Sequence, residues 1–180
     1  AIEKLNQLKT LEPSNTAIDK KLAEIYYLKN DFSKAADAYS RFAMGPKANE
    51  EDLVRYAFAL FLNHDFAKSL EVANMGLKKN PRHAAFNRLA MYNNTDLKRF
   101  EEALKAADVF FNECDKADYS YLDYMYYGHL LEELKKYDEA VGQYEKAVEL
   151  DPTKTDLYKN ISSVYEQKND YKRKNSALPV

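Results

Sequence analysis

An all-α chain, a row of antiparallel helical hairpins, is predicted by three observations. Helix breakers are scarce, an aromatic residue recurs with a period near 34, and a small residue precedes each aromatic at a nearly fixed distance. Gly (4) and Pro (5) are few among 180 residues, which favours helix over sheet. An apolar fraction of 46% beside 31% charge supplies a buried core and is too apolar for a disordered chain.

The aromatics are Phe32, Phe66, Phe100, Tyr137 and Tyr171, spaced 34, 34, 37 and 34 apart. Three residues after each come Ala35, Ser69, Ala103, Ala140 and Lys174. Nine or ten residues before each come Ala23, Ala57, Ala90, Gly128 and Ser162. Prolines punctuate the units at Pro13, Pro46, Pro81 and Pro152. Two helices cross closely only where one presents little side chain, so the small residues mark the crossings and the aromatics fill the space beside them. A period of this length is the mark of a repeat architecture.

The pattern resembles the tetratricopeptide repeat. Tyr124, Tyr127, Gly128, Leu131, Tyr137, Ala140, Tyr144, Ala147 and Pro152 match nearly every signature position of that family. The resemblance implies a right-handed α-α superhelix in which each hairpin buries its apolar face on its neighbours. In order, 1–15 reads as the second helix of a truncated repeat, since Ala1, Leu5, Leu8, Leu11 and Pro13 fit that half alone. Full repeats follow at 16–49, 50–83, 84–120 and 121–154, then a terminal partial repeat at 155–171 and a frayed tail at 172–180.

Departures carry expectations of their own. Asp19 stands where a large apolar residue is usual, so loose packing is expected there. The third unit is read with one extra residue near Asn93 to Thr95 and about three more around Cys114 to Asp118. Asp31, Asp65 and Asp170 fit the turn between the helices of a hairpin, although Lys174 replaces the alanine of a following helix. Leu157, Tyr158, Ile161, Val164 and Tyr165 form one narrow stripe, as a capping helix requires. The chain opens inside a pattern, so it is read as cut from a longer protein, and both cytoplasm and bacterial periplasm stay open as locations.

What the resemblance implies for function is a concave groove lined by the first helices of the hairpins. The expected groove residues are Tyr27, Phe58, Phe61, Asn87, Met91, Met125 and His129, with Lys20 and Glu24 beside them. Leu53 to Leu62 is apolar nearly all round, with Arg55 its one charge. Phe58 and Phe61 therefore either pack on a neighbouring first helix or form an apolar floor for a partner's segment. Met91 and Met125 suit either core filling or adaptable contact. A carboxylate clamp of Lys and Asn one turn apart is not expected, because Glu24 follows Lys20 and Phe58 follows Val54.

Other functions find little support. The net charge of −2 lacks the basic footprint of a nucleic-acid binder. No apolar run reaches the length of a membrane span. His64, His83 and His129 are not at metal-ligand spacing, and His64 and His83 are expected in solvent. Cys114 lies between acidic residues that disfavour its thiolate. No catalytic residue, metal or cofactor is expected. The reading is a non-catalytic module that binds a protein or peptide partner, with self-association into a homodimer through the terminal hairpins as the alternative.

Overall fold

The computed structural model describes residues 1–114 and 118–176, with side chains described as far as Asn169. Among the described residues are ten helices and no strand. They are α1 (Ile2–Leu11), α2 (Thr16–Leu28), α3 (Phe32–Ala43), α4 (Glu50–Leu62), α5 (Phe66–Lys79), α6 (Ala84–Asp96), α7 (Phe100–Asn112), α8 (Tyr121–Glu133), α9 (Tyr137–Leu150) and α10 (Asp156–Ser176). Four hairpins, α2/α3, α4/α5, α6/α7 and α8/α9, stack in chain order to form an α-solenoid, flanked by α1 and α10.

One turn closes every hairpin. Asn30, His64, Lys98 and Lys135 each adopt a left-handed φ near 60°, two residues before Phe32, Phe66, Phe100 and Tyr137. The next residue's N–H then donates back across the turn, as in Asp31 to Tyr26 O at 2.9 Å and Arg99 to Asn94 O at 2.8 Å. This is the pattern that satisfies the last carbonyls of a helix. The second helix starts at once, on an Asp cap where there is one: Asp31 accepts from Lys34 N and Asp65 from Lys68 N. Ala35, Ser69, Ala103 and Ala140 mark the helix crossings and are wholly buried. Ser69 keeps its hydroxyl satisfied there, donating to Ala57 O and accepting from Asn93 Nδ2, both at 2.8 Å.

Several expectations are corrected. The first helices α2, α4, α6 and α8 all have 13 residues, so α6 contains no extra residue. Met91, not Ala90, occupies the position of Ala23, Ala57 and Gly128, nine residues before the aromatic. The extra length of the third unit lies wholly in the α7–α8 connection, which includes 115–117, outside the described residues. Asp170 begins no turn, because α10 runs through it to Ser176; residues 172–176, expected to be frayed, continue that helix, and 177–180 lie outside the described residues. The α10 stripe also divides: Leu157 and Val164 are buried while Tyr158 and Tyr165 are exposed. Asp19 does not loosen its repeat. It is fully buried and takes Lys9 at 2.5 Å and Arg41 at 2.8 Å, joining α1, α2 and α3.

Between repeats, two kinds of junction alternate. Twelve residues before the aromatic, Lys20 and Arg88 lie over the Phe42 and Phe110 rings at 5.0 Å. Each cation then reaches a buried acid on the next first helix, Asp52 at 2.7 Å and Asp123 at 2.7 Å. Those acids also accept from the N-cap backbones of Asn49 and Ser120. At the junctions between them the same positions are apolar: Val54 with Phe86, and Met125 with Leu157. Gly76 and Ala147 stand where Phe42 and Phe110 stood, ten residues after the aromatic, and the Phe86 ring occupies the space that Gly76 leaves. An ion pair held over a ring is thus exchanged, as a unit, for a large apolar side chain over a small residue.

Candidate functional site

The first helices of the four hairpins and α10 form a continuous row. Counting back from each hairpin aromatic, positions 4, 5, 8 and 11 share one face of a helix, because they lie three or four apart. These positions hold Leu28, Tyr27, Glu24 and Lys21 in α2, and Leu62, Phe61, Phe58 and Arg55 in α4. In α6 they hold Asp96, Thr95, Tyr92 and Leu89, and in α8 Glu133, Glu132, His129 and Tyr126. Along this register the row is open at two places and closed in the middle.

Between α2 and α4 lies a cleft of about 530 Å³ lined by Glu24, Tyr27, Leu28, Tyr39, Arg55 and Phe58. Tyr27 is braced edge-on by Phe32 at 5.5 Å. Leu28 is 82% exposed, an apolar rim. The charges are matched within the cleft: Arg55 meets Glu51 at 2.6 Å and Glu24 at 3.8 Å, and Lys21 meets Glu24 at 3.0 Å. Burial raises the Tyr27 and Tyr39 hydroxyls, with Arg55 opposing. Both therefore stay neutral donors at physiological pH.

Between α8 and α10 lies a second cleft, about 390 Å³, lined by Asp96, Met125, Tyr126, His129, Glu132, Tyr144, Asn160 and Ser163. Tyr126 donates to Asp96 at 2.9 Å. Tyr144 and Gln167 donate to Glu132 at 2.8 and 2.6 Å. His129 lies 4.0 Å from both Glu132 and Glu133. Its pKa is raised by Glu132 and further by Glu133 and Asp96, against burial. Glu132 is correspondingly lowered, chiefly by His129, while burial raises Asp96.

The middle of the row fills itself. Phe61, Tyr92 and Tyr126 form an aromatic run, with Tyr92 stacked on Tyr126 at 4.1 Å and Phe61 against Tyr92 at 5.4 Å. The α6 backbone accordingly lies close to both α4 and α8, whereas α2 and α4, like α8 and α10, meet mainly through side chains.

Of the seven expected groove residues, Tyr27 and Phe58 meet in the first cleft and Met125 and His129 in the second. The other three lie inside the array. Phe61 belongs to the aromatic run, while Phe58 packs half-buried against the core and lines the first cleft. Met91 is fully buried. Asn87 is buried too, donating to Pro81 O at 2.9 Å and His83 O at 3.2 Å to tie down the entry to α6. Its neighbour Arg88 is engaged by Asp123. His83 is half-buried against Phe86, with ring centroids 4.6 Å apart, rather than in solvent.

Asp96, Tyr126 and Glu132 were not singled out from the sequence, and Tyr144 only as a position of the repeat pattern. Their signal was present in the register, since Asp96 and Glu132 occupy the positions of Leu28 and Tyr27. Among the described residues no group of three or more His, Cys, Asp or Glu side chains is arranged to hold a metal, and no helix is long and apolar enough to cross a membrane.

A one-dimensional stack of helical hairpins with clefts along its first helices defines an α-solenoid. Residues 128–169 match the TPR repeat family, and the hairpins that precede them stack in the same way. MamA 41-end from Desulfovibrio magneticus RS-1 superposes with a TM-score of 0.72 at 18% identity, over 88% of each chain. A tetratricopeptide repeat protein from Parabacteroides merdae superposes with a TM-score of 0.72 at 20% identity, over 95% of this chain and 68% of the other. No curated protein matches the chain in sequence.

Proposed function

We propose that this chain is a non-catalytic binding module that holds an extended or helical segment of another protein along the row of first helices. The observation that carries the reading is the cleft between α2 and α4. There Tyr27, Leu28 and Phe58 leave apolar surface open, while the equivalent space beside α6 is filled by the chain's own rings. An apolar anchor seated in that cleft would be desolvated, and the neutral Tyr27 hydroxyl would set its register. A second anchor point lies one further stretch along the same face, at Met125 and His129.

The test is capture of a partner by the parent and by Phe58→Asp, with Glu102→Lys, at an exposed position of α7, as control and circular dichroism to confirm folding. The expected result is loss with Phe58→Asp alone. Equal capture by all three would move the binding surface off this face.

A second reading, self-association through the ends, is favoured by exposed apolar side chains on both terminal helices: Leu8 and Leu11 on α1, Tyr158 and Tyr165 on α10. Light scattering across a concentration series, with Leu11→Lys and Tyr158→Lys beside the parent, tests it. A mass independent of concentration in the parent would remove it.

A further inference from the structure

We propose that the cleft between α8 and α10 receives a basic side chain, lysine or arginine, of the bound segment. This rests on the reading of the chain as a binding module and names what one of its subsites selects.

The first argument is an unmatched charge. Glu50 and Glu133 lie 3.9 and 4.0 Å from His83 and His129, and the other first-helix carboxylates outside the cleft, Asp19, Glu24, Glu51, Asp52 and Asp123, each meet a lysine or arginine. Asp96 and Glu132 do not, among the described residues. Their partners are the neutral donors Tyr126, Tyr144 and Gln167, together with His129 at 4.0 Å from Glu132. The junction between α6 and α8 already shows how the fold satisfies an acid of this kind, with Arg88 held over the Phe110 ring and hydrogen-bonded to Asp123. In the second cleft the acids and the Tyr126 ring are present, and the cation is what a ligand would bring.

The second argument is the lining. The carboxylates share about 390 Å³ with the half-buried Tyr126 ring and the Met125 thioether, while Tyr144, its ring buried against Gly128, gives its hydroxyl to Glu132. Aromatic faces attract ammonium and guanidinium groups, more strongly as the site excludes water, and the aliphatic stem of a basic side chain packs well on tyrosine and methionine. The α2–α4 cleft provides the contrast. Arg55 stands in it with its charge already matched, so a second cation would be repelled and an apolar anchor preferred.

The test is titration of the ¹⁵N-labelled protein with Nα-acetyl-arginine methylamide and Nα-acetyl-lysine methylamide. Nα-acetyl-norleucine and Nα-acetyl-glutamate methylamides serve as neutral and anionic controls, and calcium chloride as a bare cation. Amide and His129 ring resonances are followed in the parent, Asp96→Asn, Glu132→Gln and the double variant. Each replacement keeps an oxygen that accepts from Tyr126 or Tyr144, so the fold is retained, and the two single variants remain informative if the double does not fold.

Saturable shifts at Asp96, Tyr126 and His129 with the basic amides only, and a Kd raised about tenfold in the double variant, are expected; about tenfold corresponds to one charge-assisted hydrogen bond. Equal binding of norleucine, preference for glutamate or calcium, an unchanged Kd in the variants, or no binding of the basic amides would overturn the inference. Phe58→Asp leaves this titration unaffected. Partner capture with no amide binding therefore removes the subsite alone, and amide binding with no effect of Phe58→Asp on capture removes the broader reading alone.

Discussion

The ring of Phe86 lies on Gly76: a Cβ built on that glycine would fall 2.1 Å from Phe86 Cε2. No real pair of carbons approaches so closely, and Phe86 is itself fully buried. Gly76→Ala therefore cannot gain the helix propensity that alanine normally brings. Displacing a buried ring should destabilise the array by about 1–3 kcal/mol. Gly142→Ala is the matched control, since nothing lies within 4 Å of its Cβ; it should stabilise by roughly 0.5–1 kcal/mol. Gly128→Ala falls between, with Tyr144 at 2.9 Å. Thermal melts of the three variants give the order directly, and a Gly76→Ala protein as stable as the parent would show that the junction can yield.

Arg88→Met probes the other kind of junction. It strips the guanidinium from Asp123, which is wholly buried and still bonded by Tyr92 and the Ser120 backbone. An uncompensated buried charge costs about 3–5 kcal/mol. Adding Asp123→Asn removes that charge while keeping an oxygen for the cap, so the double variant should be more stable than Arg88→Met alone. Urea denaturation of the two single variants and the double measures this. A double variant less stable than Arg88→Met would mean that the acid serves the cap more than the pair.

Much of this architecture was legible because its causes are local and repeat. The aromatic, the small residue three positions on, and the Asp before Phe32 and Phe66 each satisfy one turn or crossing, and a period exposes them. Met91 was not legible, because Ala90 next to it looked like the small residue that the position usually holds. Accepting Ala90 forced an insertion, and one residue rotates a helix by about 100°, which turned a core methionine toward the groove. Asp19 and the Lys20–Asp52 and Arg88–Asp123 pairs were hidden for another reason. Their partners lie 10 to 35 residues away, and a charged residue on an apolar face looks like a defect until its partner is known.

The hairpin turns offer a stabilising change. Lys98 sits at φ 57°, where a Cβ is strained and glycine is not. Lys98→Gly should raise stability by roughly 0.5–1 kcal/mol, while Lys98→Val, whose branched Cβ tolerates that region least, should lower it by more than that. Melting temperatures of the pair would settle whether the left-handed residue limits the turn. Equal effects of Gly and Val would mean it does not.

His129 gives the second cleft a pH signature with two opposite slopes. The groups facing it are Tyr126, Glu132 and Glu133 on α8, Asp96 on α6, Tyr144 on α9, and Asn160, Ser163 and Gln167 on α10, and His64 acts on the charge of Asp96 as well. Glu132 first, then Glu133 and Asp96, raise its pKa above the ordinary value of 6.5. A raised folded-state pKa means that the protonated ring stabilises the fold. That contribution is complete below the unfolded value and is lost as pH rises through the folded one. The parent should therefore lose stability relative to His129→Gln in the window just above pH 6.5, by an amount kept small because the ring is half-exposed. The titration of Glu132 is pushed lower and those of Tyr126 and Tyr144 higher, so all three are silent there. Affinity for a basic side chain should run the other way, weakest when His129 carries its proton and rising over the same window. Melting curves and amide titrations from pH 6 to 8.5 on both proteins read the two slopes. If both persist in His129→Gln, the titrating group is not this histidine.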